Sequence, residues 1–303
     1  MSRIDMHMHS TVSDGTDTPA QLLRRVREAG MDRFALTDHD AIKGCAQIRE
    51  LLGPGDPLFV NGVEFSCRDE QGKYHILGYR YDPDGASIRK VVELGHRYRL
   101  RKVAARLGFL SQSLGFRFSE EDVRDLMAMD NPGKPHIANL MVRYGYAPSK
   151  EIAIRDYINR MRAPEAYVRP EEAIQGILGS GGIPVLAHPA YGSGDERIVG
   201  PGMERRLCRL IEFGLEGVEA FYSTFTPELV KEQLALAEKY GLYVTAGSDY
   251  HGKNKPIALG GTNLDGWETI PDGMKRFLEA LDDECQPGGW PLGPREDKRC
   301  DRP

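Results

Sequence analysis

Six of the eight histidines fall in short polar clusters: His7-Met8-His9, Thr37-Asp38-His39-Asp40, Tyr74-His75, Ala187-His188-Pro189 and Ser248-Asp249-Tyr250-His251. Asp14 lies in the turn Ser13-Asp14-Gly15, and Glu64 in Gly62-Val63-Glu64. A single residue between His7 and His9 puts both imidazoles on one face of an extended chain, where they can share a cation. Imidazole and carboxylate without thiolate suit Mn, Fe or Zn in open, catalytic coordination, whereas closed structural zinc favours cysteine. The candidate metal ligands are His7, His9, Asp14, His39, Glu64, His75, His188, Asp249 and His251. They are too many for one or two ions and suffice for three if one carboxylate bridges. Multi-ion sites of this composition suit phosphoryl hydrolysis, where the ions generate hydroxide and clamp phosphate oxygens.

Such residues must be carried by regular elements. Short apolar runs predict strands at 3–7, 33–37, 59–65, 74–79, 183–187, 217–221 and 243–246, and all but the hairpin-like pair at 59–79 are followed by helix-length segments. Thr18-Pro19 and Thr226-Pro227 are helix openings, with the threonine as cap and the proline as first helical residue. The pattern predicts an α/β barrel, in which the strand ends that carry the histidines build the site. The 303 residues are enough for one large domain or one domain with an insertion. A net charge of −5 disfavours duplex nucleic acid as partner. No apolar run approaches the ~20 residues of a membrane span, and no secretory signal opens the chain, so a cytoplasmic protein is expected. Cys45, Cys67, Cys208, Cys285 and Cys300, odd in number and without CxxC spacing, read as reduced thiols.

Residues 84–170 break the alternation and read as helices at 87–114, 119–129, 135–144 and 149–161. The expected organisation is a barrel from residues 1–83 and 171–285, a helical insertion or lid at 84–170, and a disordered tail at 286–303 rich in Pro, Gly and charge. The first insertion helix is basic, with Arg89, Lys90, Arg97, Arg99, Arg101, Lys102 and Arg106 against Glu93. Its plain reading is a solvated face, and its functional reading a lid that attracts an anionic substrate.

In order, HxH, TDHD, GVE, HILG, AHP and GSDxH resemble the polymerase-and-histidinol-phosphatase (PHP) family. The insertion, with Gly133-Lys134-Pro135-His136 and Arg162-Ala163-Pro164, is similar to the stand-alone bacterial branch acting on phosphorylated ribose and nucleotide compounds. The resemblance implies a distorted (β/α)7 barrel with three divalent ions, Mn expected and Fe or Zn as alternatives. It implies that His7, His9, Glu64 and Asp249 hold the first ion. A bridging Glu64 with His75 and His188 would hold the second, and Asp14, His39 and His251 the third. The implied reaction is in-line attack on phosphorus by hydroxide between two metals, with Glu64, Asp249, His39 and Asp40 as the catalytic set. Asp40 would orient His39 or move a proton. Lys134, His136 and Arg162, and more weakly Lys253 and Lys255, are candidates to contact substrate phosphate.

The expected activity is release of phosphate from a small phosphorylated ribose compound, a sugar cyclic phosphate that is opened and then dephosphorylated. A nucleoside 3′,5′-bisphosphate phosphatase and a 5′-to-3′ exonuclease on short single-stranded RNA are the alternatives. An amidohydrolase cleaving a C–N bond would leave Asp14, His39 and His251 unemployed, and a non-catalytic module would not need a complete ligand set.

Overall fold

The structure is a computed structural model describing residues 3–161, 166–192, 196–267 and 269–282. Among these, the strands are β1 (Ile4–Asp5), β2 (Arg33–Leu36), β3 (Leu58–Asp69), β4 (Gly72–Tyr79), β5 (Ile183–Leu186), β6 (Gly217–Tyr222) and β7 (Tyr243–Gly247). They form one seven-stranded sheet in sequence order. The first and last strands come together where Met6 N–H donates to Ala246 O (2.9 Å), Asp249 N–H to His7 O (2.8 Å) and His9 N–H to Tyr250 O (2.8 Å). A nearly closed barrel results. All neighbours are parallel except β4, which runs antiparallel to both β3 and β5.

That reversal brings His75 to the site. His75 lies near the start of its strand, not the end, and the reversed direction places it beside the ends of the others. It pairs with Ser66 across the hairpin, while Glu64 pairs with Leu77, so Glu64, Ser66 and His75 share one face. β3 extends four residues past the expected Phe65, because Ser66–Asp69 remain paired up to a tight turn at Gly72 (φ +139°).

The helices are α1 (Pro19–Glu28), α2 (Lys43–Leu51), α3 (Ala86–Leu114), α4 (Glu120–Met127), α5 (Lys134–Arg143), α6 (Lys150–Ile152), α7 (Pro170–Leu178), α8 (Pro201–Glu212), α9 (Pro227–Lys239) and α10 (Asp272–Asp282). Thr18 caps α1 and Thr226 caps α9 through their hydroxyls, each followed by proline. The last predicted insertion helix is broken: α6 passes into a π-helical turn at Ala153–Tyr157 and a 3₁₀ turn at Ile158–Arg160. The segment from α3 to this turn builds its own apolar core, with Val103, Leu110, Ile137, Met141 and Ile158 buried together. The predicted tail lies outside the described residues, as do Cys285 and Cys300. No described helix is long and apolar enough to cross a membrane.

Phe277 of α10 packs on Tyr79 and Tyr243, at one end of the barrel. Inside the wall, Phe65 is fully buried beside Val63, Ile76 and Leu186. Phe65→Ala is expected to cost about 3–5 kcal/mol of unfolding free energy, through lost burial and an unfilled cavity. Urea denaturation followed by circular dichroism reads this; a loss under 1 kcal/mol would mean that the barrel wall closes over the gap.

Candidate active site

Where the strands end, the backbone turns sharply. Asp40, His188 and Asp249 have positive φ (+49°, +27° and +59°), a region that costs a non-glycine residue free energy and here aims three site residues. Buried carboxylates hold these loops. Asp38 accepts from Ser10 N–H (2.8 Å), Ser10 Oγ (2.7 Å) and Ser13 Oγ (2.6 Å). Asp5 accepts from Ser248 N–H (3.0 Å) and Ser248 Oγ (2.6 Å).

The loops bring the predicted ligands together. Potential donor atoms of His7, His9, Glu64 and Asp249 lie within 4.8 Å of one another, as do those of His9, Asp14, His39 and His251, and those of His39, Glu64 and His75. Glu64 Oε1 is 2.8 Å from His75 Nδ1 and 3.1 Å from His188 Nε2. Its Oε2 is 3.2, 3.1 and 3.1 Å from the ring nitrogens of His7, His9 and His39. All nine predicted positions converge, and His39 stands closer to the Glu64–His75 pair than the resemblance implied.

The hydrogen-bond partners show that these atoms suit cations. His7 Nδ1 bonds Glu219 Oε1 at 2.9 Å, and a carboxylate only accepts, so the proton is on Nδ1. His7 Nε2 then turns a lone pair toward Glu64 Oε2 and Asp249 Oδ1 (3.5 Å). His251 Nδ1 likewise donates to the Asp249 carbonyl (2.8 Å), leaving Nε2 facing Asp14 Oδ1 at 3.2 Å. His7 Nε2, His9 Nε2, Asp14 Oδ1 and Glu64 Oε2 are buried without hydrogen-bond partners. Acceptor atoms packed so closely repel one another unless positive charge stands among them. Burial alone would raise the Glu64 carboxyl; the positive charge that His39, His7 and His75 carry when protonated holds it well below its ordinary value, a role that bound cations would take over. The residues present fit divalent cations.

The remaining predicted residues are spread more widely. Asp40 accepts from Ser66 N–H (3.0 Å) through Oδ1 and from Arg99 Nε (2.6 Å) through Oδ2, so it ties α3 to the barrel. Lys134 lines the cleft beside the ligands, with Nζ on Asn159 Oδ1 (2.5 Å). His136 accepts the Gly133 N–H at α5 and lines a separate depression with Asp122 and Arg143. The side chain of Lys253 is exposed, whereas Lys255 reaches Asp249 Oδ2 at 2.5 Å. Arg162 lies outside the described residues. Glu219 was missed, although a carboxylate in an otherwise apolar strand was its signal; its second oxygen accepts the His188 N–H at 2.7 Å.

The cleft holds about 360 Å³ and is lined by Asp14, His39 and His75 together with Lys73, Arg99, Lys102, Arg106 and Lys134.

A sequence profile described as the PHP domain matches residues 5–120. A phosphoribosyl 1,2-cyclic phosphate 1,2-diphosphodiesterase of Eggerthella lenta is 31% identical over 82% of this chain and 94% of its own. The chain belongs to the PHP domain family. A 3′,5′-nucleoside bisphosphate phosphatase of Chromobacterium violaceum is 27% identical over 89% of this chain and 93% of that protein. A Bifidobacterium adolescentis crystal structure assigned as a metal-dependent phosphoesterase superposes with TM-score 0.76 at 28% identity, covering 92% of this chain and 96% of the other. The PHP chain described here is a metal-dependent phosphoric ester hydrolase.

Two outcomes follow from these contacts. Glu219→Gln is expected to weaken divalent-metal affinity roughly ten- to a hundredfold by freeing the His7 ring. Metal titration reads this, and unchanged affinity would remove Glu219 from the support of His7. Lys102 is buried with no carboxylate in ion-pair distance among the described residues; burial, more than neighbouring Arg99, lowers its pKa to about 7. The unfolded chain, with an ordinary lysine at 10.5, therefore binds more protons, so this lysine weakens the fold fully below pH 7 and ceases to do so above 10.5. Lys102→Met is expected to raise Tm most at or below pH 7, with the gain fading as pH rises. A lower Tm at pH 7 would contradict that balance.

Proposed function

We propose that this PHP chain acts on a small phosphorylated ribose compound, opening a cyclic phosphate of the sugar and then releasing inorganic phosphate. The observation that carries this reading is the convergence of unpartnered buried acceptor atoms around Glu64 at the inner wall of a cationic cleft. His7, His9, Glu64 and Asp249 would hold one cation. Glu64, His75 and His188, with His39 beside them, would hold a second, and Asp14, His39 and His251 a third. Mn²⁺ is the expected ion, with Fe or Zn as alternatives. Bound there, the ions supply a Lewis acid that neutralises phosphate oxygens and acidifies water for in-line attack.

The chain's own groups prepare that chemistry. Glu219 holds the His7 proton at Nδ1, and the Asp249 carbonyl holds that of His251. Lys255 Nζ and the Tyr222 hydroxyl (2.8 Å) both bond Asp249 Oδ2, leaving Oδ1 to face the histidines. Residues 84–170 would act as a lid, with Arg99 latched to Asp40 and Ser66, and Lys134 offering charge to substrate phosphate. Apart from imidazoles, Tyr167 is the aromatic ring lining the cleft among the described residues, and Lys102 Nζ covers it at 3.8 Å. That cation occupies one face of the ring, and a second aromatic group, Tyr191, Tyr222 and Phe225, stands beside His188.

The test is phosphate release with Mn²⁺ from phosphoribosyl 1,2-cyclic phosphate, a nucleoside 3′,5′-bisphosphate and a short 5′-phosphorylated RNA. The cyclic phosphate is expected to give the highest kcat/KM, chelation to abolish turnover, and Glu64→Gln to abolish it and lower bound metal. A higher kcat/KM on the bisphosphate would transfer the reading to nucleotides, as the similarity to the Chromobacterium enzyme favours. Preference for RNA would make the chain an exonuclease. His96→Ala, whose half-buried ring bonds the Asp130 carbonyl among the described contacts, is the silent control.

A further inference from the structure

Gly95, Arg99, Lys102 and Arg106 recur at four-, three- and four-residue spacing and so share one face of α3. Gly95 lies against Asp40, where an added Cβ would come within 3.0 Å of the Asp40 Cβ. The next residue of the stripe, Arg99, is paired with Asp40 and Ser66. The last two are not. Lys102 and Arg106 are each only 8% exposed. Among the described residues neither has a carboxylate within ion-pair distance, and Arg106 Nε is buried without a hydrogen-bond partner. Burying cations without a paired carboxylate opposes folding, and Asp40, the anion that acts on Lys102 from a distance, is already paired with Arg99. Both line the cleft that Asp14, His39 and His75 also line.

The excess positive charge is local. Tyr167, beneath Lys102, also lines an outer depression formed with Arg68, Asp69, Glu70 and Arg169, where two cations meet two carboxylates. A phosphodiester chain continuing past Tyr167 would leave a cationic surface for a balanced one.

We propose that Lys102 and Arg106 form a second anion subsite, which holds a terminal phosphate monoester of the substrate that is not the one hydrolysed. The inference rests on the reading above, in which the reacting phosphate lies at the cation cluster. The Arg106 fork can take two oxygens of a phosphate and Lys102 gives a compact charge beside it. The subsite therefore selects compact compounds phosphorylated at both ends.

The experiment uses the full chain and two readouts. The first is kcat/KM with Mn²⁺ on adenosine 3′,5′-bisphosphate relative to 4-nitrophenyl phosphate. The second is calorimetric binding of ribose 5-phosphate to chelated protein, which reads the subsite without turnover. Lys102→Met and Arg106→Met are each expected to lower the kcat/KM ratio roughly ten- to a hundredfold and to weaken ribose 5-phosphate by a similar factor. Lys102→Arg is expected to recover most of the loss. Arg101→Met, exposed on the same helix, is the control that leaves both readouts unchanged. Equal losses on both esters, or ribose 5-phosphate binding indifferent to both variants, would overturn the subsite. If neither ester is hydrolysed while ribose 5-phosphate binding still depends on Lys102 and Arg106, the catalytic reading fails and the subsite stands.

Discussion

The arrangement depends on mutual repulsion among acceptor atoms around Glu64. Its Oε2 meets the ring nitrogens of His7, His9 and His39 at 3.1–3.2 Å without a hydrogen bond, while Oε1 is hydrogen-bonded to His75 and His188. Such a cluster does not cohere by itself. It is held from behind, where Glu219, Asp5 and Asp38 fix ring tautomers and loop backbones through hydrogen bonds that a carboxylate accepts from N–H and O–H. The strained dihedrals of Asp40, His188 and Asp249 belong to the same account: the barrel bears the cost of aiming these groups at one another.

The same division of charge organises the cleft. Anionic and neutral acceptors gather at the strand ends, and cations come from the helical layer and from Lys73 on the hairpin. The two sets meet where Arg99 joins Asp40 and where Lys255 joins Asp249. The Arg99–Asp40 pair is a latch between layers; the unpaired members keep their charge available. A phosphorylated compound is the kind of ligand that reconciles the two sets, through cations at one and guanidinium or ammonium groups at the other.

Much of this was legible in the sequence. Alternation of strand and helix signals located all seven strands, since apolar runs bounded by glycine and capped helices leave few other readings. The candidate ligands were legible because imidazole and carboxylate clustered where those runs ended. Less was legible where direction or facing decides the outcome. His75 sits near the start of β4, and only the antiparallel course of that strand explains its place. The basic helix read first as a solvated face. Its composition mixes the exposed Arg97 and Arg101 with the inward Lys102 and Arg106, and only the stripe that includes Gly95 separates them. Glu219 was hidden by the assumption that a buried strand carries only apolar residues. Lys253 shows the converse: it follows a ligand motif in sequence, yet its side chain is exposed.

The course of the sheet also bears on how the protein is assembled. Glu64 and His75 belong to one hairpin, so their approach needs only a short turn to close. His7 and Asp249 come from the first and last strands, and their approach waits for the ends of the barrel to meet. Part of the cation cluster is thus a local structure and part a long-range one, with high sequence separation and a correspondingly slow search. A cation gathered first by the hairpin would reward the closing of the barrel around it, and the ion that serves the chemistry would also serve as the clasp of the fold.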